Sequence, residues 1–162
     1  MNKDNLFDLV KYVSGLEESK IIYSEENVPS PELPYMTLKI ISGETSGTSF
    51  ISPPDDTTGL ATYTDDDSAV VSVQYFGNDS YNILNHFIKK MKTNTVRSFS
   101  HNLGIVFVDL VSSVNNLTEL DNTQFEDRAG CDIKFRYASQ IDDDHGVIES
   151  VEITNTKFNK GE

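Results

Sequence analysis

The chain has 162 residues, which is one domain's worth, and its 45 Leu, Ile, Val and Phe residues make up more than a quarter of it, enough to build a hydrophobic core. Thirteen Lys and Arg stand against 26 Asp and Glu, a net charge of -13. This excludes a protein that wraps DNA, because phosphate binding depends on cationic side chains displacing counterions. The single cysteine, Cys131, cannot form an intrachain disulfide, and no charged-then-apolar leader opens the chain, so folding in the cytosol is expected. The apolar run Gly104 to Val108 falls far short of the roughly 20 residues of a membrane span.

In chain order, Leu6, Phe7, Leu9, Val10, Val13 and Leu16 recur at helical spacing, with Asn2 or Asp4 as cap and Gly15 as stop, which predicts a helix over Asp4 to Ser14. Lys20 to Ser24 reads as a short strand. The prolines Pro29, Pro31 and Pro34 then fix an extended segment with few backbone donors, leading into a strand from Tyr35 to Ile41. Residues Ser42 to Asp67 are rich in Ser, Thr, Gly and Asp. Their weak strand signals at Ser49 to Ile51 and Leu60 to Tyr63 predict a projecting β-hairpin with a long, mobile tip and little share in the core.

Ser68 to Phe76 alternates as a strand with Val71, Val73 and Tyr75 on one face. From an Asn78 or Asp79 cap, Tyr81, Leu84, Phe87, Ile88 and Met91 form the apolar face of a second helix ending near Lys92. Between Ser80 and Val108 there are four basic residues and no acidic one; three of them complement the negative end of this helix. A short helix or turn follows through Val96 and Phe99, then a strand over Leu103 to Val111 and a polar loop over Ser112 to Asn122. Asp127 to Tyr137 alternates, with Cys131, Ile133, Phe135 and Tyr137 facing one way and Asp132, Lys134 and Arg136 the other. A turn at Asp142 to Gly146 should join it to an antiparallel strand over Val147 to Thr154. The predicted fold is one α+β domain over residues 1–162: a mostly antiparallel sheet flanked by two main helices, with the hairpin at about 42–67 projecting.

Chemistry-bearing residues are sparse. His86, His101 and His145 fall in separate contexts with no partner at ligand spacing, and His86 reads as a helix surface or core residue rather than a general base. Cys131 reads as a small hydrophobe. The runs Asp65 to Asp67 and Asp142 to Asp144 lack the spaced ligands and glycine of a calcium loop and read as solvated turns. Neither enzyme activity nor a cofactor is expected.

Four blocks carry a more specific signal: Ile22 to Leu38 with its spaced prolines and Pro34-Tyr35 step; Val71 to Asp79; Phe125-Glu126-Asp127-Arg128-Ala129; and Ile148 to Ile153. In this order they resemble the neck or tail terminator family of tailed bacteriophages. The resemblance implies a structural virion protein, made in the host cytoplasm and placed in the neck. It implies a homo-oligomeric ring, a hexamer, that caps the tail tube, stops its polymerisation and meets head-completion, connector or sheath proteins. Genomic DNA would pass through as cargo, and an acidic lumen would keep it from sticking. Ring closure needs two different complementary edges on each subunit. The residues expected to supply them are Pro29, Pro31, Pro34 and Tyr35; Phe50, Ile51, Leu60 and Tyr63 in the hairpin; Glu126 with Arg128, the latter paired to a carboxylate; and the basic Lys134 and Arg136. The competing reading is a soluble, monomeric acidic binding module with no virion role.

Overall fold

A computed structural model describes residues 1–25, 29–121 and 124–147. Three helices, α1 (Lys3–Ser14), α2 (Ser80–Met91) and α3 (Asn94–Asn102), accompany eight strands: β1 (Ile21–Tyr23), β2 (Tyr35–Ile51), β3 (Leu60–Phe76), β4 (Ile105–Leu110), β5 (Asn115–Asn116), β6 (Glu119–Asp121), β7 (Gln124–Glu126) and β8 (Arg128–Asp144). The main sheet has the order β1-β2-β3-β8-β4, with β5 paired to β8, while β6 and β7 form a separate hairpin. The class is α+β, as predicted, and the pairing is antiparallel except for β1, which runs parallel to β2. A parallel pair cannot be closed by a tight turn, and Pro29, Pro31 and Pro34 lie in the stretch of chain between these two strands.

The caps explain where the helices begin and end. Asn2 Oδ1 accepts the Asp4 amide at 2.8 Å, and Gly15, in the left-handed region at φ 73°, donates its amide to the Lys11 carbonyl and stops α1. At α2 the expected local cap does not operate. Asp79 occupies the cap position but makes no side-chain cap bond; its carboxylate accepts from Asn82 Nδ2 instead. The α2 N-terminus is capped from across the chain by Asp127, which accepts from the Ser80 hydroxyl at 2.5 Å and the Ser80 amide at 3.3 Å. A carboxylate there satisfies orphan donors and meets the positive end of the helix dipole.

These bonds, the Ser80 hydroxyl first, hold the Asp127 carboxyl below its ordinary value of 3.8. Because the folded state depresses it, the stabilisation is complete above that ordinary value and is lost as pH falls through the lower folded one. Asp127→Ala is expected to cost about 1–2 kcal/mol near neutral pH. In urea titrations from pH 7 downward the gap to the wild type should close only below about pH 4. A gap independent of pH would mean that Asp127 acts by packing alone.

The core lies between one face of the sheet and the helices. Met36 and Leu38 of β2, Val71, Val73 and Tyr75 of β3, and Cys131, Ile133 and Phe135 of β8 point to one side, as the alternation predicted. Leu6, Leu9, Val10 and Val13 of α1 and Leu84, Phe87, Ile88 and Met91 of α2 close over them. Tyr81, expected on the apolar face of α2, is exposed instead.

The larger departure concerns the strands beyond this core. Residues 42–67 are not a hairpin with a long tip: β2 runs unbroken to Ile51, β3 starts at Leu60, and only 52–59 connect them. The acidic run Asp142 to Asp144, expected in a turn, continues β8 and pairs with Leu60 to Thr62. The result is a three-stranded arm, β2-β3-β8, joined across its strands by polar contacts. Thr62 Oγ1 donates to Asp142 at 2.7 Å, Ser139 Oγ to Asp67 at 2.6 Å, and Gln140 Nε2 to Thr64 at 3.2 Å. At its end Gly59, at φ 72°, meets the backbone of Gly146 so closely that a Cβ on Gly59 would lie 2.7 Å from the Gly146 carbonyl carbon. The strand expected over Val147 to Thr154 lies outside the described residues apart from Val147 itself. No helix of the described residues is long and apolar enough to cross a membrane.

Candidate functional site

Residues that could carry chemistry stay apart. His86 and His101 are exposed on α2 and α3, and His145 sits at the end of the arm, where its Nε2 lies 3.1 Å from the Tyr63 hydroxyl. Cys131 is buried in the core, and burial foremost, with Asp132 adding to it, pushes its thiol up to about 12. Such a thiol is a packing group, not a nucleophile. Among the described residues no group of three or more His, Cys, Asp or Glu side chains could hold a metal ion.

Apart from Lys134 and Arg136 in the middle of the long strands, the residues singled out from sequence fall into two groups toward their opposite ends, roughly 50 Å apart at the rise of a β-strand. At the near end, Tyr35, Phe76 and Arg128 are direct neighbours on three adjacent strands. They lie on the sheet face opposite the helices. Tyr35 and Phe76 stack with ring centroids 4.5 Å apart and planes 6° from parallel, and the Arg128 guanidinium lies 5.3 Å from the Phe76 centroid. This is a cation–π stack. Pro34 packs against Gly77, where a Cβ would come within 2.9 Å of the proline ring. Pro29 and Pro34 are exposed, while Pro31 and Glu126 are half-buried.

The carboxylate partner expected for Arg128 is absent among the described residues: it forms no ion pair, and its Nε is buried without a hydrogen-bond partner. In the middle of the strands the basic stripe is spoken for. Lys134 lies 3.9 Å from Glu44 on β2, and Arg136 makes a two-point contact with Asp66 on β3. That contact holds the Asp66 carboxyl below its ordinary range. Lys134 and Arg136 therefore hold the arm together rather than standing free.

At the far end, Phe50, Ile51 and Leu60 are exposed, and Tyr63 is half-buried beside His145. Sequence reading missed Ile141, 68% exposed, because it lies beside the acidic run taken for a turn. Ile51, Tyr63 and Ile141 are register partners and form one apolar row across the three strands. Ile51 and Ile141, at the two sides of this row, stay largely in water within their own chain.

Residues 4–162 match the family model described as phage neck terminator protein. The chain belongs to this family. No curated protein matches it closely enough to count as a relative. A phage neck terminator is a structural phage protein, and membership places the chain in the virion, in association with other tail and head proteins. This agrees with a molecule whose distinctive surfaces are an aromatic–arginine stack and an apolar-tipped arm.

Proposed function

We propose that this neck terminator forms a homo-oligomeric ring, a hexamer, that caps the tail tube, halts its polymerisation and presents a surface to the head-completion or connector ring. The family match over residues 4–162 carries this reading. The exposed apolar end of the arm supports it, since large aliphatic side chains left in water on an otherwise polar element mark a contact surface. In this reading the arm, residues 42–67 with the end of β8, projects from the body and engages a neighbouring subunit or the tube through Phe50, Ile51, Leu60 and Tyr63. The proline segment with Tyr35, and Glu126 with Arg128, form a second contact at the opposite end. The surplus of acid lines the passage and keeps DNA from adhering.

Mass photometry of the purified chain, alone and with purified tail tube, tests this. The expected result is a discrete ring, alone or on the tube end, together with overlong tails from phage lacking the protein. A chain that stays monomeric and indifferent to tube protein would instead be the soluble acidic binding module.

A further inference from the structure

Beside β4 the structure has a groove that the reading above leaves unused. A cavity of about 350 Å³ is floored by Met91, Val96, Val106 and Phe107 and rimmed by Arg97 and His101. A second, of about 430 Å³, shares His101 and Val106 and continues past the paired Asp66 and Arg136 to Ala138 on β8. β4 ends the main sheet, so its outer edge pairs with no strand among the described residues, and Val106 and Val108 are nearly half exposed. The groove is cationic in a chain of net charge -13: Arg97 and His101 line it and Lys92 stands at its floor, while Lys89 and Lys90, the other basic residues between 80 and 108, lie further back on α2, Lys90 Nζ reaching the Val13 carbonyl at 3.3 Å. Among the described residues none of these Lys and Arg side chains forms an ion pair. Lys92 reaches over the Phe107 ring at 6.0 Å, which puts one charge above the apolar floor.

The far end of the arm has the opposite character. Residues 42–67 and 138–147 carry nine acidic residues and no Lys or Arg. Of these, Glu44 and Asp66 are taken up by Lys134 and Arg136, and Asp67 by Ser139. Of the others, Asp65 and Asp143 share the face of the exposed row of Ile51, Tyr63 and Ile141, while Asp142 and Asp144 lie on the opposite face of the same strand end. We infer that this acidic, apolar-tipped arm docks in the cationic, apolar-floored groove of a second copy of the chain. The contact rests on the ring reading and names the surfaces that close it.

Geometry forbids the contact within one chain. Val106 pairs with Arg136, and Ile141 lies five residues further along the same strand, roughly 17 Å away. Two complementary surfaces held apart on one rigid sheet can meet only between copies, head to tail, which is the arrangement that closes into a ring. Opposite charge around an apolar centre favours this pairing over arm against arm or groove against groove.

Charge exchange tests the pairing. Lys92→Glu with Arg97→Glu, and separately Asp65→Lys with Asp143→Lys, should each raise the concentration needed for self-association roughly tenfold or more. All four substitutions in one chain should restore it, and the wild-type association should weaken with salt. If either pair alone leaves association unchanged, or the folded fourfold variant does not recover, the inference is overturned while the ring stands. If the pairs leave the ring intact and abolish only tube binding, the arm's occupant is the tube, and the inference is overturned. A wild type that stays monomeric even with tube protein removes the ring reading and this contact together. Should the fourfold variant not fold, Val106→Cys with Ile141→Cys decides the matter. Cys131 is buried with its thiol near 12 and will not compete, so oxidation should give a covalent ladder of subunits. An assembled protein that gives no ladder overturns the contact.

Discussion

Joining Glu44 to Ser68 through a two-residue Asn-Gly turn, in place of residues 45–67, is expected to leave a folded monomer that neither assembles nor terminates tails. Glu44 and Ser68 are direct register partners, so the new turn closes an existing antiparallel ladder. The continuous core contains no residue between 42 and 67; it ends at Val71 on β3. What is lost is Ala61, buried by the arm itself, and contacts such as Asp66 with Arg136, an exposed pair of small worth in water. The unfolding temperature should drop by no more than about 4 °C, the equivalent of about 1 kcal/mol for a domain of this size. Tail-length measurements in a complementation assay should show the same defect as absence of the protein. A variant that fails to fold would place the arm in the core's cooperative unit, and one that terminates tails normally would make the arm dispensable.

The second large effect is expected at Phe76. Its ring is buried on the sheet face away from the helices, between Tyr35 and the Arg128 guanidinium. Phe76→Ala opens a cavity and leaves Arg128 without its aromatic partner, so a loss of about 3 kcal/mol is expected in denaturant unfolding. Arg128 itself should behave differently. Its Nε is buried without an acceptor, which costs the monomer free energy, so Arg128→Met should hold monomer stability within about 1 kcal/mol of the wild type. If the guanidinium takes a carboxylate from another subunit, Arg128→Met and Arg128→Lys should both impair assembly, because neither replaces a two-point fork. Normal rings from both variants would leave Arg128 with a purely local role.

That residues 42–67 add little to the core was legible in the sequence, whereas the Glu44–Ser68 register and the Tyr35–Phe76–Arg128 stack were not. Periodicity reports burial. Where a face is buried, the alternation is plain: Val71, Val73 and Tyr75 on β3, Cys131, Ile133 and Phe135 on β8, and the apolar stripe of α1 between Asn2 and Gly15 all stand where they were expected. The resemblance carried by the proline segment and the strand-opening acid-arginine motif likewise led to the family that the match over residues 4–162 shows. The arm is mostly polar on both faces, so Ser42 to Ile51, Leu60 to Asp67 and Ala138 to Asp144 have no apolar alternation to read. Backbone ladder bonds and cross-strand polar pairs hold them as strands instead.

Partnerships between distant residues were equally silent. Asp127 caps a helix that begins 47 positions earlier, and Arg136 meets Asp66 across 70. Local spacing sets which residues share a face, whereas strand order and register set which charges meet. Only the tertiary structure therefore turned the basic stripe of Lys134 and Arg136 inward on the arm's own acid. It left Lys92 and Arg97 without a carboxylate partner, because the sheet holds the acidic end of the arm beyond their reach.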